Sequence, residues 1–320
     1  MKYDSKFEEF YQELTAKESV NSLANIEKDA RKEKNKNDAK IIFSMIIYII
    51  GFLLFINSKN FSIKDTNIII VGFTVVFTLI IITAISTSEK KQGQYTKEYK
   101  ETIIKNIINN FGNYTYIPNG NISRDYYNQA NFEDYYNRYY SEDLITGNIK
   151  ENINFNMAEV LTIYESTDSD GDTTRSTIFH GLFSKVNCPK HINAELYLRN
   201  NKNIFTKDLT SKLNDIKIKL DSEEFEKNFD IYSTDRVLAM QILTADVMQV
   251  LTDFKKTTGI HYEMSIKDST IYFRFRTGSM FEPNYKNSID KDTIYRYYKV
   301  LEFTLNVTNK IIKIIEETEF

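Results

Sequence analysis

Two long runs without a charged side chain constrain this chain more than any other feature. Residues 41–57 and 67–86 contain no Asp, Glu, Lys, Arg or His, and each run is close to the ~20 residues needed to cross ~30 Å of hydrocarbon. The pattern predicts two transmembrane helices, and the alternative is a pair of buried core helices. A cleaved signal peptide is not indicated, because the charged residues 1–40 precede the first run.

The cations beside the two runs predict their orientation. Lys and Arg residues stand before the first run and after the second: Lys28, Arg31, Lys32, Lys34, Lys36, Lys40, Lys90, Lys91, Lys97, Lys100 and Lys105. The loop between the runs, residues 58–66, carries only Lys59 and Lys64. The positive-inside rule therefore predicts a cell-membrane protein with two spans in the lipid bilayer, a short external loop and both termini in the cytoplasm. Because the runs lack ionisable groups, a transporter is not expected.

The cytoplasmic segments have helical and strand periodicities. Apolar residues at helical spacing predict a charged amphipathic helix within residues 1–40 and a helical stalk at about residues 94–111. From Gly147 onward, period-two alternation predicts a mostly antiparallel sheet, interrupted by packed helices such as the one that Gly259 ends. Residues 125–143 show no clean period and are expected to be irregular or partly helical. Residues 87–320 are therefore expected to form a soluble α+β domain.

A heptad pattern marks the C-terminal segment. Its apolar positions are spaced four and three residues apart: Ile294, Tyr298, Leu301, Leu305, Thr308, Ile312 and Ile315. This spacing predicts a long helix at about residues 290–316. Packing within the chain is favoured, and the alternative is a coiled coil between copies, with Ile294, Tyr298, Leu301, Leu305 and Ile312 at a homo-oligomer interface.

The composition excludes several classes of partner and site. The 41 Lys plus Arg nearly balance the 44 Asp plus Glu, so the net charge of -3 gives no reason to expect nucleic acid as a partner. Cys188 is the only cysteine, which excludes an intrachain disulfide and a metal site built from several cysteines of one chain. No cofactor motif is present in the sequence, and no cofactor is expected.

An acidic turn is one candidate site. Asp168, Asp170 and Asp172 alternate as carboxylates do at the start of a calcium loop. The match then fails, because Thr173 stands where the glycine of that loop belongs and Phe179 where its glutamate belongs. A solvated hairpin turn is the favoured interpretation.

His180, Cys188 and His191 are a second candidate group. Three such side chains are able to ligate zinc, and a Cys-His pair is able to act as a nucleophile. No family-specific motif surrounds Cys188, however, so a structural cysteine and two ordinary polar histidines are the favoured interpretation. The sequence predicts no catalytic residue.

A cationic group on the last two predicted strands is the third candidate. Arg274 and Arg276 alternate with Phe273 and Phe275, and Lys267 lies close in sequence across a turn. Guanidinium groups bind phosphate well, so these three residues are candidates for contact with phosphate or a lipid headgroup. The alternative is a solvated polar face.

Three stretches resemble one family. Residues 140–166 (YSEDLITGNIKENINFNMAEVLTIYES), residues 179–183 (FHGLF) and residues 218–254 are similar to segments of a bacterial membrane-protein family known as domain of unknown function 3137. Together with the apolar runs, the resemblance extends from about residue 40 to residue 285. It implies short N-terminal membrane helices joined to a soluble domain, and it implies no activity. Asn148 departs from the glycine-rich segment expected after Gly147.

These observations support three hypotheses of function. The first is a non-enzymatic, membrane-anchored protein whose cytoplasmic α+β domain binds an unidentified partner or ligand. The second is a membrane effector whose hairpin perturbs the bilayer when a ligand binds or copies associate. The third is a membrane-tethered hydrolase, which requires the acidic turn or the His180, Cys188 and His191 group to converge in a pocket.

Overall fold

The computed structural model describes residues 3–57, 63–132, 135–200, 217–283 and 290–318, apart from the side chains of residues 54–57, 63–70 and 73. The chain divides into two compact units. The sheet unit comprises Met1–Glu8, Ile104–Phe281 and Lys291–Phe320, and the helical unit comprises Glu9–Ile103 and Glu282–Asp290.

Three helices, two of them long, form most of the helical unit. They are α1 (Ser5–Ala16), whose first residues belong to the sheet unit, α2 (Glu18–Asn57) and α3 (Ile63–Tyr99), which continues into a π-helical turn at Lys100–Ile104. The rings of Tyr48 and Phe77 stack at 4.8 Å, so α2 and α3 lie side by side. Both are far longer than a typical globular helix.

The predicted membrane spans lie within α2 and α3. Residues 54–57, 67–70 and 73 belong to these spans, but their side chains lie outside the described part of the chain. Among the described residues, no single helix is long and apolar enough to cross a membrane, although two short helices bent by 69° at Arg236–Ile242 and Ala245–Thr258 meet that requirement as a pair. Of the predicted external loop, residues 58–62 also lie outside the description, and α3 begins at Ile63.

An antiparallel sheet of nine strands organises the sheet unit. The strands are β1 (Thr115–Ile117), β2 (Arg138–Lys150), β3 (Ile153–Thr167), β4 (Thr173–Asn187), β5 (Leu196–Asn200), β6 (Lys217–Ile218), β7 (Phe229–Ser233), β8 (Tyr262–Lys267) and β9 (Thr270–Phe275). Their order is β1-β2-β3-β4-β9-β8-β5-β7-β6. Asp268 and Ser269 have positive φ angles of 49° and 56°, as the tight turn between β8 and β9 requires. The predicted α+β class with a mostly antiparallel sheet is confirmed.

Helices join these strands and cover the sheet. They are α4 (Lys105–Asn109), α5 (Arg124–Gln129), α6 (Glu223–Asn228), α7 (Arg236–Ile242), α8 (Ala245–Thr258) and α9 (Lys291–Glu317). The side chains of Ser222, Asp235 and Thr244 accept hydrogen bonds from backbone N–H groups at the starts of α6, α7 and α8. Gly259, in the left-handed conformation, ends α8 as predicted.

Apolar side chains cover both faces of the sheet. On one face, Val160, Phe179 and Phe183 pack with Tyr127 of α5 and Phe132. On the other face lies α9, whose Phe303 stacks on Phe254 of α8 with 4.0 Å between ring centroids. The heptad residues of α9 are buried within the chain: Ile294, Tyr298, Leu301, Leu305, Ile312 and Ile315. The predicted long C-terminal helix is therefore confirmed.

The aromatic stretch at residues 125–143 is partly helical, as predicted, and it also enters a strand that the sequence did not indicate. It contains α5 and the first residues of β2, which begins at Arg138. Tyr139 and Tyr140 are neighbours that face opposite sides of the strand, so alternation of apolar and polar residues is masked by two aromatic rings. The alternating residues Ile216, Ile218 and Leu220 also predict a strand, and the first of them lies outside the described residues.

Candidate functional site

The structure does not gather Lys267, Arg274 and Arg276 into one patch. Lys267 ends β8 opposite Thr270, whereas Arg274 lies opposite Glu263, four residues farther along β9. At about 3.3 Å per residue, this separation is about 13 Å along the strand. The reason is the tight turn at Asp268, which places Lys267 at one end of the hairpin and the arginines at the other.

Each of these cations already has a partner. The Arg274 side chain is 4% exposed, pairs with Glu263 and donates a 3.2 Å hydrogen bond to the Tyr127 hydroxyl. Arg276 is exposed and donates to the Ile178 carbonyl. Lys267 Nζ lies 3.1 Å from Glu195 Oε1.

The contact with Lys267 helps to lower the pKa of the Glu195 carboxyl. Burial alone raises the pKa of the Glu195 carboxyl. The Tyr197 hydroxyl and Lys267 outweigh that effect and leave the pKa below its ordinary value. Glu195 therefore remains ionised and holds Lys267 in place.

The acidic candidates form a turn. Asp168 Oδ1 accepts hydrogen bonds from the backbone N–H groups of Asp170 (3.0 Å) and Asp172 (2.8 Å), so this carboxylate stabilises the connection between β3 and β4. All three carboxylates are exposed. Among the described residues, no group of three or more His, Cys, Asp or Glu is arranged to hold a metal ion.

His180 is separated from Cys188 and His191. The Cys188 N–H donates to the Ser269 carbonyl at 2.8 Å, and His191 Nδ1 lies 3.1 Å from Ser269 Oγ, so both residues lie near the β8–β9 turn. His180 lies in the middle of β4, opposite Leu161. Burial raises the pKa of the Cys188 thiol to about 12, so the thiol stays protonated near neutral pH and is a poor nucleophile.

Glu159 of β3 is the centre of a different polar group, which includes His180. Its side chain is 5% exposed, and Oε1 accepts a 2.8 Å hydrogen bond from Ser279 Oγ and lies 3.3 Å from His180 Nε2. Oε2 accepts from the backbone N–H groups of Met280 (2.9 Å) and Phe281 (3.4 Å). This buried carboxylate is thus satisfied by several donors, as its loss of water requires.

The backbone beside His180 depends on glycine. At Gly181, φ is +157°, and an added Cβ would lie 1.9 Å from the Phe275 carbonyl oxygen, far closer than atoms approach. The Gly278 N–H donates to the His180 carbonyl at 3.1 Å. Only glycine therefore lets the chain after β9 cross close to β4 and reach Glu159. The FHGLF segment is explained by this crossing, with Phe179 and Phe183 in the core.

An open cleft of about 730 Å³ surrounds this group. Residues 121–124 form one wall and residues 139–142 of β2 form another, while Glu159, Leu161, His180 and Ser279 complete the lining. Its volume is in the range of ligand-binding sites in proteins. Burial raises the pKa of the Tyr139 phenol above its ordinary value, so this hydroxyl remains a neutral donor and binds the Ile122 carbonyl at 2.8 Å.

Residues 177–313 match the profile of a family described as Protein of unknown function (DUF3137).

The expected resemblance is thereby confirmed over this range, which contains residues 179–183 and 218–254; residues 140–166 precede it. A crystal structure of the mycobacterial trehalose monomycolate transport factor A, TtfA, is similar with a TM-score of 0.36 and 10% sequence identity, over 68% of this chain and 94% of that chain. No curated protein sequence matches this chain.

Within the DUF3137 match, the sequence indicated His180 as a candidate but not Ser279. Glu159, which precedes the matched range, was not indicated either. Glu159 left a signal, because it is the one charged residue in NMAEVLTIY, residues 156–164. A carboxylate in a buried strand needs donors, so this position indicates a polar cluster. Ser279 left no comparable signal, since one serine in a loop after a strand is common.

Proposed function

We propose that this chain is a membrane-anchored protein without enzymatic activity, whose sheet unit binds a partner at the cytoplasmic face through the cleft around Glu159. The observation that carries the proposal is the concentration of exposed apolar side chains on α2 and α3. We assign the cleft a binding role and not a catalytic one. The Glu159 oxygens already accept hydrogen bonds from the Ser279 hydroxyl and from two backbone N–H groups of the chain after β9.

The exposed apolar side chains coincide with the two uncharged runs. Nine large apolar side chains between residues 42 and 53 and seven between residues 71 and 85 are at least 39% exposed, and Phe43 is 65% exposed. Monomeric soluble proteins rarely expose contiguous apolar patches larger than a few hundred Å². In the hydrocarbon core of a bilayer, exposed apolar side chains carry no cost of contact with water. Helices also satisfy their own backbone hydrogen bonds there.

The proposed orientation is tested by cysteine labelling in intact cells. Cys188 is replaced by serine, and one new cysteine is introduced by Asn60→Cys in the predicted external loop or by Glu89→Cys beyond the second run. We expect a membrane-impermeant maleimide to label the Asn60→Cys protein directly and the Glu89→Cys protein only after permeabilisation.

Cell fractionation provides the matched control for this experiment. The full chain should remain in the membrane fraction after washing with high salt, and a variant lacking residues 41–86 should leave it. Equal labelling of both cysteines in intact cells, or recovery of the full chain in the soluble fraction, contradicts the proposed anchoring.

A further inference from the structure

Helix α7 carries apolar side chains on its outer face as well as on its inner face. Leu238, Ala239 and Ile242 are buried on the inner face. Val237 and Met240, three residues apart and so on one side of the helix, are 63% and 50% exposed. A surface helix of a soluble protein has polar side chains on its outer face, whereas a helix that is apolar all round is buried. The outer face of α7 is therefore suited to burial by another molecule.

The start of α7 is fixed by hydrogen bonds, which hold Val237 and Met240 on the surface. Asp235 Oδ1 accepts from the backbone N–H groups of Val237 (2.8 Å) and Leu238 (3.1 Å). The Asp235 N–H in turn donates to Ser233 Oγ at 3.1 Å. A rotation of this short helix that covered Val237 would break the bonds of the cap and expose the inner face.

The charges beside this face suit an anionic surface. Arg236 is exposed and precedes Val237 in the first turn of α7. The carboxylates nearest to α7 in sequence are both engaged, because Asp235 caps the helix and Asp246 Oδ2 lies 3.4 Å from Lys310 Nζ. A long arginine side chain keeps its guanidinium at the level of lipid headgroups while its methylene groups lie along apolar neighbours. Arg236 is therefore placed to meet an anionic headgroup when Val237 enters an apolar layer.

The size of this face favours lipid over protein as its partner. A stable protein–protein interface buries ~800 Å² on each partner. Within the described residues 217–283, Val237 and Met240 are the only large apolar side chains that are exposed, so the apolar surface is far smaller than such an interface needs. An interfacial helix needs only a few apolar side chains, which enter ~5–10 Å into the boundary between headgroups and acyl chains.

We propose that the outer face of α7 enters the interfacial layer of the bilayer, with Val237 and Met240 among the upper acyl chains and Arg236 at an anionic headgroup. The proposal rests on the membrane anchoring proposed above and goes beyond it, because it assigns the sheet unit a lipid contact of its own. Anchoring by α2 and α3 keeps the bilayer at a high effective concentration. A contact too weak to recruit a free protein therefore persists in the anchored chain.

The test uses a tryptophan introduced into α7. The sequence contains no tryptophan, so one introduced indole is the only source of tryptophan emission. The full chain is reconstituted in nanodiscs of phosphatidylcholine and phosphatidylglycerol, with or without bromine on the upper part of the acyl chains. We expect brominated lipid to lower the emission of Met240→Trp by about half, because an interfacial helix places its apolar face at this depth.

Two further single-tryptophan variants supply the controls. Ile49→Trp lies in the first uncharged run and should be quenched if that run is in hydrocarbon. Tyr135→Trp replaces a side chain of the sheet unit that is 75% exposed, and its emission should not change. Quenching of Ile49→Trp without quenching of Met240→Trp overturns the α7 contact and leaves the anchoring standing, whereas the absence of quenching in both contradicts both proposals. Equal quenching of Tyr135→Trp and Met240→Trp also overturns a contact specific to α7.

A charge at Val237 tests the insertion directly. In the Met240→Trp background, Val237→Asp should remove the quenching, because a carboxylate opposes entry into the acyl layer. Val237 is exposed, so the variant is expected to fold, and Ser176→Asp adds the same charge at an exposed position of β4 as the matched control. Arg236→Gln should reduce quenching only in discs that contain phosphatidylglycerol. Quenching that survives Val237→Asp overturns the proposal, as does a blue-shifted Met240→Trp emission that bromine does not quench, since a protein then covers α7.

Discussion

At the scale of single residues, Glu159 and Gly181 position the chain that follows β9. Glu159 provides oxygens for the Ser279 hydroxyl and two backbone N–H groups, and Gly181 leaves room for the Phe275 carbonyl. One residue supplies attraction and the other supplies space, so a change at either position is expected to move the same segment.

Replacing the carboxylate tests the attraction. In the Glu159→Gln variant one oxygen remains an acceptor, but the amide group presents its own N–H to donors. We expect a loss of about 2–3 kcal/mol in the free energy of unfolding, since a buried charge-assisted acceptor is removed. Denaturant titration of the full chain in micelles measures it. Glu151→Gln, in an exposed turn, should be indistinguishable from wild type, and an equal loss in both variants contradicts this role of Glu159.

Adding a methyl group tests the space. The Gly181→Ala variant forces its Cβ against the main chain of β9, and we expect a loss of about 3 kcal/mol in unfolding free energy. Gly171→Ala is the matched control in the same hairpin: its φ is +89°, but no atom lies within 4 Å of the added Cβ. The control should lose only about 1 kcal/mol. Similar losses in the two variants would show that the backbone conformation at Gly181, and not the contact with Phe275, accounts for the destabilisation.

The candidate site was predictable from sequence only in part. His180 belongs to the FHGLF segment, which the sequence marks as a family resemblance, but its partner Glu159 lies on another strand. The contact of Ser279 with Glu159 depends on a loop that is 120 residues away from Glu159 in sequence. Register between strands determines such contacts, and residue spacing along the chain does not reveal it. Arg274 shows the same limit, because its burial follows from Glu263 and Phe132, which approach it from other elements.

At the scale of elements, the start of α1 is bound to the start of α9. Lys291 Nζ lies 2.6 Å from Glu8 Oε2, the Phe7 ring contacts Tyr295 with 4.8 Å between centroids, and Lys299 Nζ lies 3.4 Å from Asp4 Oδ2. Ionic and aromatic contacts thus attach the first residues to the last helix.

This attachment should weaken in acid. Burial by itself raises the pKa of the Asp4 carboxyl, but the Phe7 N–H and Lys299 outweigh it and leave the pKa lowered. A lowered folded-state pKa stabilises the fold above the unfolded pKa of Asp, about 3.9, and that contribution is lost as pH falls through the lower folded-state pKa. The melting temperature of Asp4→Asn should therefore lie below that of wild type near neutral pH, and the gap should close in acid. A gap independent of pH contradicts this assignment.

The elements themselves were largely predictable, for identifiable reasons. The heptad spacing of Ile294 to Ile315 survives in α9 because one helical face is buried along its whole length. The first half of β2 was not recognised, since consecutive tyrosines conceal which side of the strand is apolar. The packing of α1 residues on α9 is also invisible in sequence, as nearly the full chain separates the two.

At the scale of the whole molecule, the apolar surface of α2 and α3 is the feature that the proposed membrane location explains. A charge in the middle of that surface should oppose insertion. For the Ile49→Lys variant, at a side chain that is 53% exposed, we expect an insertion penalty of about 2.5–3.5 kcal/mol. The fraction of chain that resists alkaline extraction from membranes measures the effect, with Ile49→Leu as the control. Unchanged extraction of the lysine variant contradicts a bilayer environment.

The pairing of Glu8 with Lys291 forms only late in the synthesis of the chain. The two residues are 283 positions apart, so Glu8 leaves the ribosome long before its partner exists. At about 5–20 residues per second, the wait is about 15–60 s. During that interval the Phe7 ring lacks its contacts with Tyr295 and Tyr298, so this part of the apolar core is completed only when translation is nearly finished.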